Sequence, residues 1–255
     1  MDATEPTFRD LTFFFPMWNE EEMLHRTVGA ARETGDELVA QRVVGDYEIL
    51  IVDDASTDST GKMADELALA DPRVRVVHHQ VNRKLGASVR TGLAEATGEL
   101  VLYTDADMPF DLNDLHKALR LMRIYDADIV SAYRFDRTGE GAQRAIYSHI
   151  YNSIVKTLLG LRVRDVNFAF KVIRRDVLEH VELVSEGSFI DVELLAKAQR
   201  RGFHIIQFGV DYFPRARGAS TLSSPAVILK IVRELAALLP SVRAVTPLPE
   251  HVSRR

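Results

Sequence analysis

A chain of 255 residues is long enough to bury one large core or two small ones. Its 46% apolar and 27% charged content is ordinary for a globular protein, and a formal charge of −5 speaks against a general nucleic-acid binder. The absence of cysteine excludes a disulfide framework and any thiolate metal site, and it fits a reducing compartment. The opening MDATEPTFRD is acidic and polar, unlike a secretory leader.

In chain order, apolar runs alternate with helical patterns. LTFFF (11–15) reads as a strand and is followed by a helix from about Glu20 to Ala40. YEILIVDD (47–54) is the next strand, with a helix from about Ser59 to Ala70, and RVRVVHH (73–79) the third, with a helix from Leu85 to Ala96. ELVLYT (99–104) leads to a helix over Leu112–Tyr125, and then comes ADIVSAY (127–133). Strands that are apolar almost throughout, each followed by a helix, predict an α/β fold with a mostly parallel sheet covered on both faces.

After Tyr133 the rhythm changes. A polar loop precedes the amphipathic AIYSHIYNSIVKTLLG, in which Tyr147, Ile150, Tyr151, Ile154, Val155 and Leu158 recur at helical spacing. That stripe suits core packing or a lining for a lipid chain. Next come VNFAFKVI as a strand, a helix around Phe189–Arg201, and FHIIQFGVDYF as a last strand. The second half reads as an elaboration of the sheet, giving one domain: about 8–133 a donor half, about 134–222 an acceptor half, and 223–255 a C-terminal amphipathic helix and tail.

No run reaches the roughly 18 apolar residues that span a bilayer. PAVILKIVRELAALLP (Pro225–Pro240) carries Lys230, Arg233 and Glu234 and reads as an amphipathic helix, docked on the protein's own core or lying on a membrane surface. Between Arg134 and Arg175 nine basic residues face three acidic ones (Asp136, Glu140 and Asp165), an excess of six that suggests an anionic ligand.

Three strands end in polar residues: FPMWNEEE, VDDASTDST and TDADMPF. In open parallel sheets ligands sit beyond the carboxyl ends of the strands. Clustered carboxylates repel one another unless a cation or hydrogen-bond donors compensate. Carboxylates accept hydrogen bonds from ribose and base, and they bind a hard divalent ion whose remaining ligands a diphosphate can supply. The pattern fits a nucleoside diphosphate with a metal. No GxGxxG and no Walker loop is present.

These motifs resemble family-2 glycosyltransferases of the GT-A (Rossmann-like) fold, and among them the polyprenyl-phosphate (dolichol-phosphate) mannose and glucose synthases. PMWNEEE is similar to the family's Pro-x-Tyr-Asn-Glu opening, with Trp18 in place of tyrosine; DDASTDST, NRKLGASVRTGLAEATGE, the DAD at 105–107 and RARGAS (215–220) follow in the family's order. The resemblance implies an inverting, metal-dependent transfer of a hexose from a GDP- or UDP-sugar to a polyprenyl phosphate. It implies that Pro16, Trp18, Glu20, Asp53 and Asp54 hold the donor, with Asp105 against the nucleotide and Asp107 on Mg2+ or Mn2+. Arg134, Arg144, Arg215 and Ser220 would hold the acceptor phosphate, and Asp191 lies where hydroxyl-accepting relatives keep a base.

The sequence departs from that pattern in places. Pro109 stands where relatives carry glutamine, Lys171 where they carry arginine, and Thr221 where lysine is common. No hydrophobic hairpins follow, so membrane attachment is expected to be peripheral, at the cytoplasmic face, or through a small membrane-protein partner. The His78–His79 pair shows no metal-ligand spacing. Three other readings remain: a family-2 enzyme acting on a sugar hydroxyl, a module that binds a nucleotide sugar without turnover, and a two-component receiver with Asp105 as phosphoacceptor and Ser131 as switch hydroxyl.

Overall fold

The computed structural model describes residues 5–135, 152–213 and 225–249. Seven strands, β1 (Phe8–Met17), β2 (Val44–Asp53), β3 (Val74–His78), β4 (Leu100–Thr104), β5 (Ile129–Arg134), β6 (Phe170–Arg174) and β7 (Ile205–Val210), form one sheet in the order β3-β2-β1-β4-β6-β5-β7. The helices are α1 (Glu21–Ala40), α2 (Thr60–Ala70), α3 (Lys84–Glu95), α4 (Asp114–Tyr125), α5 (152–159), α6 (Arg175–His180), α7 (Ile190–Arg201) and α8 (Pro225–Arg243).

The period-2 pattern of each central strand divides the core in two. On β1, Leu11, Phe13, Phe15 and Met17 join one cluster and Phe14 the other. Ile49 and Ile51 of β2 and Leu100 and Leu102 of β4 follow the first set, while Leu50, Val52, Val101 and Tyr103 follow the second. Leu24, Val28, Ala31 and Leu38 of α1, with Leu115, Leu119 and Met122 of α4, cover the first face. Val89 and Leu93 of α3 and the buried side of α7 cover the second. Both faces being covered explains why these strands read as continuous apolar runs.

The sheet is parallel except at β6, which lies antiparallel between β4 and β5. A strand from the second half of the chain thus sits inside the sheet of the first half, so the two halves share one core. The sequence pattern VNFAFKVI is a strand only over Phe170–Arg174, and the short α6 directly after it was not anticipated. Helix α7 ends where Gly202 adopts φ +99, and the Phe203 N–H then reaches back to the Ala198 carbonyl.

The anticipated C-terminal helix does not stop at Pro240 but runs through it to Arg243. Leu235, Leu238 and Val242 are buried in the second cluster, so this part of α8 docks on the protein itself. Arg200 and Arg201 of α7 hold the chain beyond it through the carbonyls of Arg243, Val245 and Thr246. Val155 of α5 is buried, whereas Leu158 is exposed; Tyr147, Ile150 and Tyr151 lie outside the described residues. Among the described residues no helix is long and apolar enough to cross a membrane.

Candidate active site

The strand order makes β2, β1 and β4 immediate neighbours, so the three acidic tips meet at one edge. Parallel pairing sets Met17 beside Asp53 and Asp53 beside His78. The loop after β1 is laced to the loop after β2. Asn19, at φ +55, accepts from the Thr57 N–H through Oδ1 (2.8 Å), and its own N–H donates to Ser56 Oγ (3.0 Å). The Glu20 N–H donates to Thr60 Oγ1 (2.8 Å), and Ser59 N–H to Glu21 Oε2 (2.9 Å). Trp18 stands 54% exposed at this tip, a flat apolar face open to a ligand, with Pro16 and Glu20 half-buried beside it.

Left-handed backbone concentrates in these loops. Asn19, Ala55, Lys84 and Met108 all have positive φ and follow, respectively, β1, β2, β3 and β4. Such conformations are costly for residues other than glycine and persist where surrounding contacts fix them.

Asp53 and Asp54 are both buried, yet neither is left bare. Asp53 accepts from Ser56 N–H at Oδ1 (3.1 Å), and its Oδ2 lies 2.9 Å from His78 Nδ1. Asp54 Oδ1 accepts from the Arg83 N–H (2.8 Å) and lies 2.6 Å from His79 Nδ1. The acidic cluster is thus compensated partly from within, by a histidine pair that spacing rules passed over because they concern metal ligation. Its signal was positional: two histidines at the end of the strand that pairs with the acidic one.

Strand β4 ends at Thr104, so Asp105 and Asp107 lie on a turn rather than on an extended segment. The Met108 N–H bonds the Asp105 carbonyl (3.3 Å). Burial still alternates: Ala106, Met108 and Phe110 are buried, and Asp105, Asp107 and Pro109 are half-exposed. Both aspartates are thus partly open to solvent. Thr27 of α1 fixes the turn by donating its hydroxyl to the Ala106 carbonyl (2.5 Å). Pro109 gives its carbonyl to the Phe213 N–H (2.9 Å), tying this turn to the chain leaving β7.

Below the turn lies a buried polar group. Lys171, on β6, is fully buried; its Nζ donates to Asp191 Oδ1 (2.6 Å) and to the Phe168 carbonyl (2.8 Å), and it lies 5.6 Å from the centre of the Tyr103 ring. The Tyr103 and Thr104 hydroxyls are buried without a hydrogen-bond partner among the described residues. Burial, then the charges of Asp191 and Asp105, push the Tyr103 phenol well above its ordinary value, so it stays neutral.

Arg134, expected to receive the acceptor phosphate, sets its planar fork on Asp165, with Nε 2.7 Å from Oδ2 and Nη2 2.6 Å from Oδ1. Arg174 reaches the Ala127 carbonyl, and Arg175 reaches the carbonyls of Ala96 and Gly98. With Lys171 these residues direct part of the local basic excess into the fold itself. Arg144, Arg215 and Ser220 lie outside the described residues.

The site's donors are hard oxygens, the chemistry suited to Mg2+ or Mn2+. Among the described residues no group of three or more acidic or histidine side chains is arranged to hold an ion alone. The half-exposed carboxylates of Asp105 and Asp107 are oxygen donors of that kind, and a ligand's oxygens would have to complete the set.

A sheet of this order, with carboxylate-bearing loops at its parallel edge, has the GT-A glycosyltransferase fold. Solved structures of other glycosyltransferases share it, among them the following two. Glucosyl-3-phosphoglycerate synthase from Mycobacterium tuberculosis, in complex with Mn2+ and UDP-glucose, has a TM-score of 0.65 at 18% identity, covering 95% of this chain and 81% of that one. The mannosyltransferase PcManGT from Pyrobaculum calidifontis, with GDP-Man and Mn2+, has a TM-score of 0.59 at 20% identity, covering 95% and 76%.

The chain belongs to glycosyl transferase family 2, whose model matches residues 12–182, and it is a glycosyltransferase. It is 31% identical to polyprenol monophosphomannose synthase of Mycolicibacterium smegmatis, over 87% of this chain and 83% of that protein. It is 28% identical to glycosyltransferase AglD of Haloferax volcanii over 81% of this chain, which spans only 33% of that relative.

Proposed function

We propose that the protein transfers a hexose from a GDP- or UDP-sugar to a polyprenyl phosphate, with inversion at the anomeric carbon, at the cytoplasmic face of a membrane. The observation that carries this reading is the placement of the Asp53–Asp54 and Asp105–Asp107 pairs at the tips of β2 and β4, on either side of β1, in a chain similar over most of its length to a polyprenol monophosphomannose synthase.

In this reading Trp18 and Pro16 pack on the base, while Glu20, Asp53 and Asp54 accept from base and ribose. Asp105 would lie along the nucleotide, and Asp107 would hold Mg2+ or Mn2+. The bound ion offsets negative charge on the leaving diphosphate. An acceptor phosphate oxygen forms the new bond to the anomeric carbon while the bond from that carbon to the diphosphate oxygen breaks, its electron pair leaving with the nucleotide. Phosphate monoesters have a second pKa near ~6, so the acceptor needs no base. Arg144, Arg215 and Ser220 grip that phosphate, and Arg134 takes part by sharing its fork with Asp165.

A sugar-hydroxyl acceptor would require a base, and Asp191 is an unsuitable one. It is 3% exposed and held by Lys171.

The test is transfer of label from GDP-mannose or a UDP-hexose, with Mg2+ or Mn2+, to a short polyprenyl phosphate extracted into an organic phase. The wild type should label the lipid, and Asp107→Asn should lower the rate about a hundredfold or more. An Asp107→Asn enzyme with unchanged rate and unchanged metal requirement would remove Asp107 from the assigned role.

A further inference from the structure

His78 is placed between two carboxylates that belong to different elements. Its Nδ1 lies 2.9 Å from Asp53 Oδ2 on β2, and its Nε2 lies 3.0 Å from Asp65 Oδ1 on α2. Ionised carboxylates only accept hydrogen bonds, so both contacts are satisfied together only when both ring nitrogens carry hydrogen, that is, by an imidazolium. His79 differs: its Nδ1 faces Asp54, but its Nε2 lies 2.9 Å from the Thr91 hydroxyl, which can donate. A neutral ring meets both of its contacts.

The close packing around this point is specific. A side chain at Gly61 of α2 would put its Cβ 2.8 Å from Asp53 Oδ2 and 3.6 Å from His78 Cε1, so glycine there lets α2 approach the pair. The charged groups facing the ring are Asp53 from β2 and Asp65 from α2; Lys62 on α2 is turned to Glu66, and α3 brings Thr91 to His79 instead.

Resting on the proposed function, in which Asp53 contacts the donor, we propose that His78 is a positioning residue for the nucleotide sugar. As an imidazolium it orients the Asp53 carboxylate and offsets its charge, fitting an acidic site to a donor that carries two negative charges. His78 itself touches no part of the donor.

The consequence for pH has a definite sign. Partial burial works against the charged ring, and the hydrogen bonds and charges of Asp65 and Asp53 outweigh it, holding His78 above its ordinary 6.5. A raised value means that the imidazolium's contribution to the fold is complete below pH 6.5 and is lost as pH rises through the folded-state value. Once neutral, the ring no longer offsets the Asp53 charge, so donor affinity also weakens as pH rises through that range. The diphosphate of a sugar nucleotide is esterified at both ends and does not titrate in this range, which makes direct binding a cleaner readout than turnover with a monophosphate acceptor.

The experiment follows His78 by long-range 1H–15N correlation in the free protein and measures GDP-mannose and UDP-glucose affinity by calorimetry with Mg2+ from pH 6 to 9. His78 should titrate above 6.5, and the affinity of whichever donor binds should fall by roughly threefold across that titration, the scale of a partly exposed charge. Asp65→Asn should move the profile to lower pH. His78→Asn, which keeps a donor toward Asp53 without the charge, should bind independently of pH at the wild-type high-pH level. A pH-independent wild type, an unchanged profile in His78→Asn, or a His78 that titrates at or below 6.5 would each overturn the inference and leave the donor-site reading standing. Failure of both sugar nucleotides to bind at any pH would overturn the two together.

Discussion

Lys171 illustrates how far single residues here depend on one partner. A fully buried ammonium is tolerable because Asp191 and the Phe168 carbonyl meet it. Removing either member leaves an uncompensated buried charge, so Lys171→Met should lower unfolding free energy by about 3 kcal/mol in urea denaturation. Asp191→Asn separates the two roles of that carboxylate. A structural role predicts loss of stability with activity retained wherever the protein stays folded. Loss of activity at unchanged stability would make Asp191 a base and favour a hydroxyl acceptor.

At this scale the sequence showed the acids and hid their partners. Asp53, Asp54, Asp105 and Asp107 were legible because carboxylates at the ends of apolar strands have few structural explanations. His78 was not, since its tie to Asp53 spans 25 residues and exists only through the β2–β3 register. Arg134 and Lys171 were legible as cations, but their carboxylate partners come from distant elements.

Among the elements, α3 shows why particular residue types recur in a motif. Gly86 and Gly92 both lie on its buried side. A Cβ at Gly86 would stand 2.4 Å from the Glu186 carbonyl carbon, and the Gly86 N–H bonds the Glu186 oxygen (3.0 Å), so helix and loop meet backbone to backbone. A Cβ at Gly92 would collide with the Phe14 ring. Gly86→Ala meets backbone that no rotamer change can clear, and it should cost about 1–3 kcal/mol by denaturant titration. A variant as stable as wild type would mean that the 185–187 loop is free to move aside.

Helices α1, α3 and α4 were readable within one or two residues because each carries an apolar stripe on a polar background. Strand β6 was readable as a strand but not as an antiparallel one. Its mostly apolar run, interrupted by Lys171, suits any central strand, and only pairing with β4 and β5 fixes its direction. Likewise Pro240 looked like a helix end, yet the packing of Leu235, Leu238 and Val242 carries α8 past it.

Across the whole molecule, the sheet order turns separate motifs into one site. The tips of β2, β1 and β4 are distant in sequence and adjacent in space, and β6 joins the second half of the chain to the same core. Pro109 extends that union, since its carbonyl binds Phe213 at the start of the segment leading to Arg215. The turn that carries Asp105 and Asp107 is thus tied to the chain leaving β7. The chemistry of the acceptor is what separates this reading from others open to the same fold. Its most direct test is a side-by-side assay with one labelled sugar nucleotide, Mg2+ or Mn2+, and three acceptors: a short polyprenyl phosphate, the matching polyprenol, and 3-phosphoglycerate. Label should enter the polyprenyl phosphate alone; label in the polyprenol or in 3-phosphoglycerate, with none in the lipid phosphate, would contradict it.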